Sequence, residues 1–212
     1  DSEGNDFELA FWDWRYYAEK VRMEKYALDE SELRQYFEVN AVREGIFMVV
    51  NKLYGLNFVQ RNDVPLYHPD ATAWEVQEAD SSFIGILFLD MHPRASKRSG
   101  AWMSSYLDQQ VDRSGTFIHP VITVVCNFTE PVGDLPALLS FDEMTTFFHE
   151  FGHAIHGLLS KTTYPGLSGT SVPRDFVELP SQVMENWAKH PEVLKMFAKH
   201  YQTGEVIPDE LI

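Results

Sequence analysis

The hydrophobic residues of segment 140–160 recur at intervals of three and four, a spacing that predicts an amphipathic helix. The apolar stripe consists of Phe141, Met144, Phe148, Phe151, Ile155 and Leu158. Ser140 is followed three residues later by Glu143, the signature of a capping box that satisfies free amide donors at a helix start. Pro165 cannot continue a helix, so we expect this helix to end before it.

Similar periodicity predicts four more helices, at about 6–28, 40–54, 174–189 and 191–203. For the second of these, Asn40 is the expected N-cap and Gly55 the expected C-terminal stop. Pro180 lies inside the third, where it should either kink the helix or stand in its first turn.

The period changes to that of strands in the middle of the chain. Short runs rich in β-branched and aromatic residues lie at 56–59, 73–77, 82–89 and 121–128. Residues 79–81 are expected to turn the second run into the third as a hairpin. We therefore predict an α+β fold, mainly helical, with a small antiparallel sheet inserted between the helices.

Composition and charge exclude several classes of function. With 17 basic and 32 acidic residues the formal charge is −15, which disfavours binding to nucleic acid or to anionic membranes. No apolar run approaches the roughly 20 residues needed to span a membrane. The single cysteine, Cys126, excludes an internal disulfide and fits a reducing compartment. We expect a cytoplasmic protein, with a periplasmic location left open.

The chemistry lies in the helix over 140–160, which contains the sequence His149-Glu150-Phe151-Gly152-His153. On a helix, residues four apart share a face, so two imidazoles can bind one metal ion. Zinc suits nitrogen ligands in tetrahedral geometry. Glu150 lies one position round from His149, where it can take a proton from water without becoming a ligand. His156 is better explained by packing, since a fourth protein ligand would close the site.

A catalytic zinc ion needs a third protein ligand and one open position. Glu178 is a suitable candidate, because it lies 178 − 153 = 25 residues after the second histidine. That distance allows the first helix to end and a second helix to run back alongside it. Spacing alone does not choose Glu178 over Asp175 or Glu185.

The motifs resemble those of the thimet oligopeptidase family of zinc peptidases, and within it the bacterial peptidyl-dipeptidases. The likeness is carried by residues 149–157, 167–182 and 185–188 and extends over essentially the whole chain. It implies a zincin-like catalytic core in which His149, His153 and Glu178 hold one zinc ion per chain and Glu150 activates water. It also implies short peptides as substrates and the release of C-terminal dipeptides. An endo-acting oligopeptidase is the nearest alternative, and a catalytically silent, zinc-stabilised peptide-binding module is another.

Members of this family are several hundred residues long, so the resemblance implies that residues 1–212 form one internal piece of a catalytic domain. Within that piece we expect a helical part at 1–55, a sheet-containing part at 56–130 and zinc-binding helices at 140–203. The resemblance also implies that the family's segment that contacts the reaction's oxyanion lies further toward the C-terminus than residue 212, so we do not expect hydrolysis by this piece alone.

Substrate-contacting residues are expected at two places. In the resembled family an edge strand pairs with the extended peptide, and Gly100 and Ala101 would allow its close approach. A basic turn leading into a helix at about 101–111 is the alternative. The loop over 164–173, which is rich in Gly, Ser and Pro and contains Gly169, is either a lid that contacts substrate or a plain connector.

Zinc-binding histidines usually donate their second ring nitrogen to a further partner. Glu185 lies seven residues beyond Glu178 and therefore on the same helix face, so it is our candidate for this partner. Asp142, Glu143 and Asp175 are its rivals.

Overall fold

The computed structural model describes residues 9–26 and 30–212. Its helices are α1 (Trp14–Tyr26), α2 (Glu30–Arg34), α3 (Val39–Tyr54), α4 (Phe141–Leu158), α5 (Leu179–Ala188) and α6 (Pro191–Phe197). Its strands are β1 (Asn57–Arg61), β2 (Thr72–Gln77), β3 (Phe83–Asp90), β4 (Trp102–Leu107), β5 (Gln110–Val111), β6 (Phe117–Ile118) and β7 (Val121–Val125). The chain is an α+β protein, as predicted. Among these described helices, none combines the length and the apolarity that crossing a membrane requires.

Five of the strands form one sheet in the order β1-β2-β3-β7-β4. The hairpin between β2 and β3 is confirmed, and it turns through Ser81, whose φ is +68°. The prediction of a purely antiparallel sheet is wrong, because β3 and β7 run parallel, with Ile86 opposite Val121. Parallel neighbours need a long crossover, and residues 91–120 supply one that carries β4 and the β5–β6 hairpin.

A single apolar core lies between one face of this sheet and the helices α3 and α4. The predicted stripe of α4 is buried there, apart from the half-buried Phe141. A Cβ atom added to Gly157 would lie 2.8 Å from Ile122 Cδ1 on β7 and 2.9 Å from Met103 Cε on β4. Helix α4 therefore crosses directly beneath the two last strands of the sheet, which places its motif next to the edge strand β4.

The helix caps agree only partly with prediction. The capping box of α4 is confirmed, since Ser140 Oγ accepts the Glu143 amide at 3.0 Å and Glu143 Oε2 accepts the Ser140 amide at 2.7 Å. Gly55 ends α3 with φ +75°, also as predicted. The N-cap of α3 is Glu38 rather than Asn40, because the Glu38 carboxylate reaches the backbone amide of Ala41.

Three helix bounds need correction. The helix predicted over 6–28 is a short 3₁₀ turn at 11–13 followed by α1, and residues 6–8 and 27–28 lie outside the described residues. The helix predicted over 174–189 begins only at Leu179, because Pro180 in its first turn has no amide hydrogen to donate to the carbonyl of Phe176 four residues earlier. The helix predicted over 191–203 ends at Phe197, after which the chain turns back through Gly204 (φ +74°).

Residues 102–107 form the edge strand β4, so the alternative of a helix at 101–111 is wrong. Antiparallel pairing to β7 places Met103 opposite Val124. Gly100 precedes the strand with φ +90°, and the Asn127 side chain donates to its carbonyl at 2.6 Å. Ala101 is half-buried at the start of β4. The other edge of β4 has no strand paired to it among the described residues.

Candidate metal centre

Three side chains converge between α4 and the start of α5. His149 and His153 lie one turn apart on α4, with ring centroids 4.9 Å apart. Glu178 is the residue that precedes α5, and its Oε2 lies 3.2 Å from His149 Nε2 and 3.1 Å from His153 Nε2. One donor atom from each side chain lies within 4.8 Å of the other two, and the described residues contain no other such group.

A fourth side chain orients the first histidine. Glu185, two turns along α5, places Oε1 2.7 Å from His149 Nδ1, and Lys189 Nζ lies 3.6 Å from its other oxygen. An ionised carboxylate only accepts hydrogen bonds, so the Nδ1 atom of His149 carries the proton. A neutral imidazole in this tautomer directs its Nε2 lone pair toward Glu178.

The donor set fits a divalent cation. The Nε2 atoms of His149 and His153 face the same carboxylate oxygen, Glu178 Oε2, at 3.2 and 3.1 Å, so a cation or a proton between these atoms would stabilise the arrangement. Two imidazole nitrogens and one carboxylate oxygen are typical zinc ligands. Donors about 2.0–2.1 Å from a tetrahedral ion would be about 3.4 Å apart. The separations from Glu178 to the two histidines, 3.1 and 3.2 Å, are close to that value.

The protonation states also favour a cation. Burial lowers the pKa of His153, and the adjacent His149 lowers it further, although the Glu178 carboxylate opposes them. The hydroxyl of Ser181, together with the two histidines, lowers the pKa of Glu178. At neutral pH the site therefore contains a neutral His153 and an ionised Glu178, the forms that bind metal.

Glu150 lies next to His149 on α4 and is only 7% exposed. Burial raises the pKa of its carboxyl, and the negative charge of Glu178 adds to this effect. His149 and the backbone amide of Met103 on β4 act in the opposite direction. Glu150 thus lies between the metal-binding face of α4 and the edge strand of the sheet.

The other residues singled out from the sequence lie elsewhere. Asp175 is in an exposed turn, and no described hydrogen bond or ion pair joins it to the three converging side chains. Asp142 is exposed in the first turn of α4, and Glu143 caps that helix. Of the four acidic residues considered as the histidine partner, Glu185 makes the contact. The ring of His156 instead lies 6.3 Å from that of Phe176.

Gly169 lies in the loop after α4 and packs on that helix. It has φ +51°, and a Cβ atom added to it would lie 3.1 Å from Gly157 Cα. Sequence reasoning overlooked Ser181, which is fully buried and donates to Glu178 Oε2 at 2.9 Å. Its position three residues after Glu178, in the first turn of a helix, was the available signal, because serine there often bonds back to preceding groups.

The model of Peptidase family M3 matches residues 1–212, so the chain belongs to this family. The resemblance found in the motifs is thereby confirmed.

Individual relatives support the same conclusion. The chain is 47% identical to the dipeptidyl carboxypeptidase of Escherichia coli over 212 residues, which is all of this chain and 31% of that protein. It is 43% identical to oligopeptidase A of the same bacterium over 206 residues, or 97% of this chain and 30% of that protein. Its identity to saccharolysin of Saccharomyces cerevisiae is 35%, over all of this chain and 31% of that protein. The chain thus spans about a third of the length of these relatives.

Proposed function

We propose that the protein is a zinc-dependent peptidase that hydrolyses short peptides by direct attack of water and releases dipeptides from a free C-terminus. The observation that carries the proposal is the convergence of His149 Nε2, His153 Nε2 and Glu178 Oε2 beside the buried carboxylate of Glu150. One zinc ion per chain is the proposed cofactor. A purely structural zinc site has no use for an adjacent carboxylate that is not a ligand.

In this proposal the two histidines and Glu178 hold the metal, and Glu185 fixes the tautomer of His149. Zinc, when bound, would polarise the scissile carbonyl and lower the pKa of a water molecule to about 7. Glu150 takes the proton from the attacking water and later delivers it to the leaving amine. The location of Glu150 between α4 and β4 supports this role, because a peptide lying along β4 would pass close to its carboxylate.

We propose the unpaired edge of β4 as the peptide-binding strand. Addition of a strand holds a peptide through its backbone, so it suits an enzyme that accepts many sequences. Gly100 and Ala101 directly precede this strand and would lie beside the peptide. The loop over 164–173, in which Gly169 packs against Gly157 of α4, is proposed as a second substrate-contacting segment.

The dipeptide specificity is supported by the 47% identity to the E. coli relative, which is a dipeptidyl carboxypeptidase. Internal cleavage is the second candidate function, because oligopeptidase A has nearly the same identity, 43%. We further propose that residues 1–212 are the zinc-binding part of a longer catalytic domain, divided as predicted at 1–55, 56–130 and 140–203. A zinc-stabilised module without catalysis is the outcome if this part lacks groups that the longer protein supplies.

The test is to incubate the zinc-loaded protein with a peptide carrying a free C-terminus and with its C-terminally amidated form, and to identify the products by mass spectrometry. Dipeptide release from the free peptide alone supports the peptidyl-dipeptidase activity. Equal internal cleavage of both peptides supports the oligopeptidase. If neither this chain nor the longer protein containing it cleaves either peptide, the proposed activity is wrong.

A further inference from the structure

Glu178, the third proposed ligand, has a side chain that must be ordered before it can bind a metal ion. The Glu178 side chain is 50% exposed, and an exposed glutamate ordinarily samples several rotamers. Its carboxylate nevertheless has to meet two histidines on another helix. Something must therefore restrict the Glu178 side chain before a metal arrives, or part of the binding free energy is lost in ordering it.

Ser181 supplies that restriction. Its hydroxyl lies 2.9 Å from Glu178 Oε2, the oxygen that also faces both histidines, and 2.9 Å from the Glu178 carbonyl oxygen. A carboxylate oxygen has two lone pairs, so one can accept from the serine while the other faces the metal position. Ser181 is itself fully buried, and both acceptors within reach of its single hydroxyl proton belong to Glu178.

Gly152 explains why Ser181 can be so close to α4. A Cβ atom added to Gly152 would lie 2.5 Å from Ser181 Cα and 2.7 Å from the Pro180 carbonyl oxygen. Real Cβ atoms essentially never approach other atoms within 3.0 Å, and here both neighbours are backbone atoms that cannot rotate aside. Any side chain at position 152 would therefore push the start of α5, and Glu178 with it, away from the histidines.

We propose, on the basis of the zinc site proposed above, that Ser181 and Gly152 are positioning residues for the third ligand. Because Gly152 has no side chain, the first turn of α5 can pack closely against α4. Ser181 lies in that turn and holds the Glu178 carboxylate toward His149 and His153. Neither residue touches the metal or the substrate. Their shared effect is to preorganise the ligand, so the affected quantity is zinc affinity.

The first test compares Ser181→Ala with Thr123→Val, which removes another buried hydroxyl on β7, away from the three ligands. Zinc affinity is measured by competition with a chromophoric chelator, and thermal unfolding is followed without zinc. We expect Ser181→Ala to bind zinc at least about 10-fold more weakly, as is typical when a partner of a ligand is lost. Thr123→Val should keep wild-type affinity. A purely structural role for Ser181 would change the unfolding temperature and leave the affinity unchanged.

The second test compares Gly152→Ala with Gly45→Ala, whose added Cβ would lie 2.4 Å from Phe197 Cγ in the core between α3 and α6. Both variants should lower the unfolding temperature, but only Gly152→Ala should weaken zinc binding. If Gly152→Ala does not fold, the serine variant decides the question. If the wild type binds one zinc ion and Ser181→Ala binds it equally well, the positioning role is wrong while the proposed site stands. If the wild type binds no zinc, the proposed site and the positioning role are both wrong.

Discussion

Replacing Glu178 by alanine should weaken zinc binding much more than replacing Glu185. Glu178 provides one of three converging donor atoms and the only formal negative charge among them. Glu185 is not one of the three donors, and it contacts the site through the far nitrogen of His149, at 2.7 Å. Loss of such an outer partner typically costs about 10–100-fold in metal affinity, or about 1.4–2.8 kcal/mol. We expect Glu185→Ala to fall in that range and Glu178→Ala to exceed it.

The difference in zinc affinity between the two variants should also appear in the free energy of unfolding measured with zinc. At a zinc concentration 100 times the dissociation constant, binding stabilises the folded protein by about 2.7 kcal/mol. A variant with 100-fold weaker affinity keeps about 0.4 kcal/mol of that stabilisation at the same zinc concentration. Glu178→Ala should therefore gain almost nothing from added zinc, whereas Glu185→Ala should keep part of the gain.

The assay combines chelator competition with urea unfolding, each with and without zinc. Glu192→Ala is the control, because Glu192 is an exposed carboxylate on α6 outside the three-residue donor group. Its affinity should equal that of the wild type. The ligand assignment is refuted if Glu185→Ala loses more affinity than Glu178→Ala, or if Glu178→Ala binds zinc normally.

Three further predictions follow from the same contacts. Glu150→Gln should retain one zinc ion by elemental analysis while peptide hydrolysis is abolished, and normal hydrolysis would show that another group is the base. Ser140→Ala should lower the free energy of unfolding by about 1 kcal/mol in urea, because it removes the cap of α4, and an unchanged midpoint would argue against that cap. Asp90 is fully buried and forms ion pairs with Arg94 and Lys97. Burial alone would raise the pKa of Asp90, but the hydrogen bonds from these two cations and from Tyr67 outweigh burial and lower the pKa. A lowered folded-state pKa adds stability that is fully present above the unfolded value of about 3.9 and is lost as the pH falls through the folded-state pKa. Asp90→Asn should therefore cost about 3–5 kcal/mol at pH 7 and less in acid once the wild-type carboxyl is protonated, and a loss that does not change with pH would exclude the ion pairs as the cause.

Features encoded by neighbouring residues could be predicted from the sequence. The cap and apolar stripe of α4 depend on spacings of three and four, so its start at Phe141 and its buried face follow from segment 140–160 alone. The placement of His149 and His153 on one face follows from the same periodicity. Gly55 ended α3 as predicted, because a left-handed residue is a local requirement.

Features that depend on distant contacts could not be predicted in this way. The parallel pairing of β3 with β7 is decided by how the crossover at 91–120 folds, and neither strand's composition reveals it. Spacing left Glu178, Asp175 and Glu185 open as ligands, because which carboxylate meets the histidines depends on where α5 begins and how closely it crosses α4. That crossing depends on the contact between Gly152 and Ser181, two residues with no periodic or charged signal.

The metal content of the purified protein tests whether His149, His153 and Glu178 form one zinc site. The protein is stripped with a chelator, supplied with zinc, freed of excess metal and analysed beside the His149→Ala variant. We predict about one zinc ion per chain for the wild type and far less for the variant. No retained zinc in the wild type, or equal retention by both proteins, would contradict the assignment of this site.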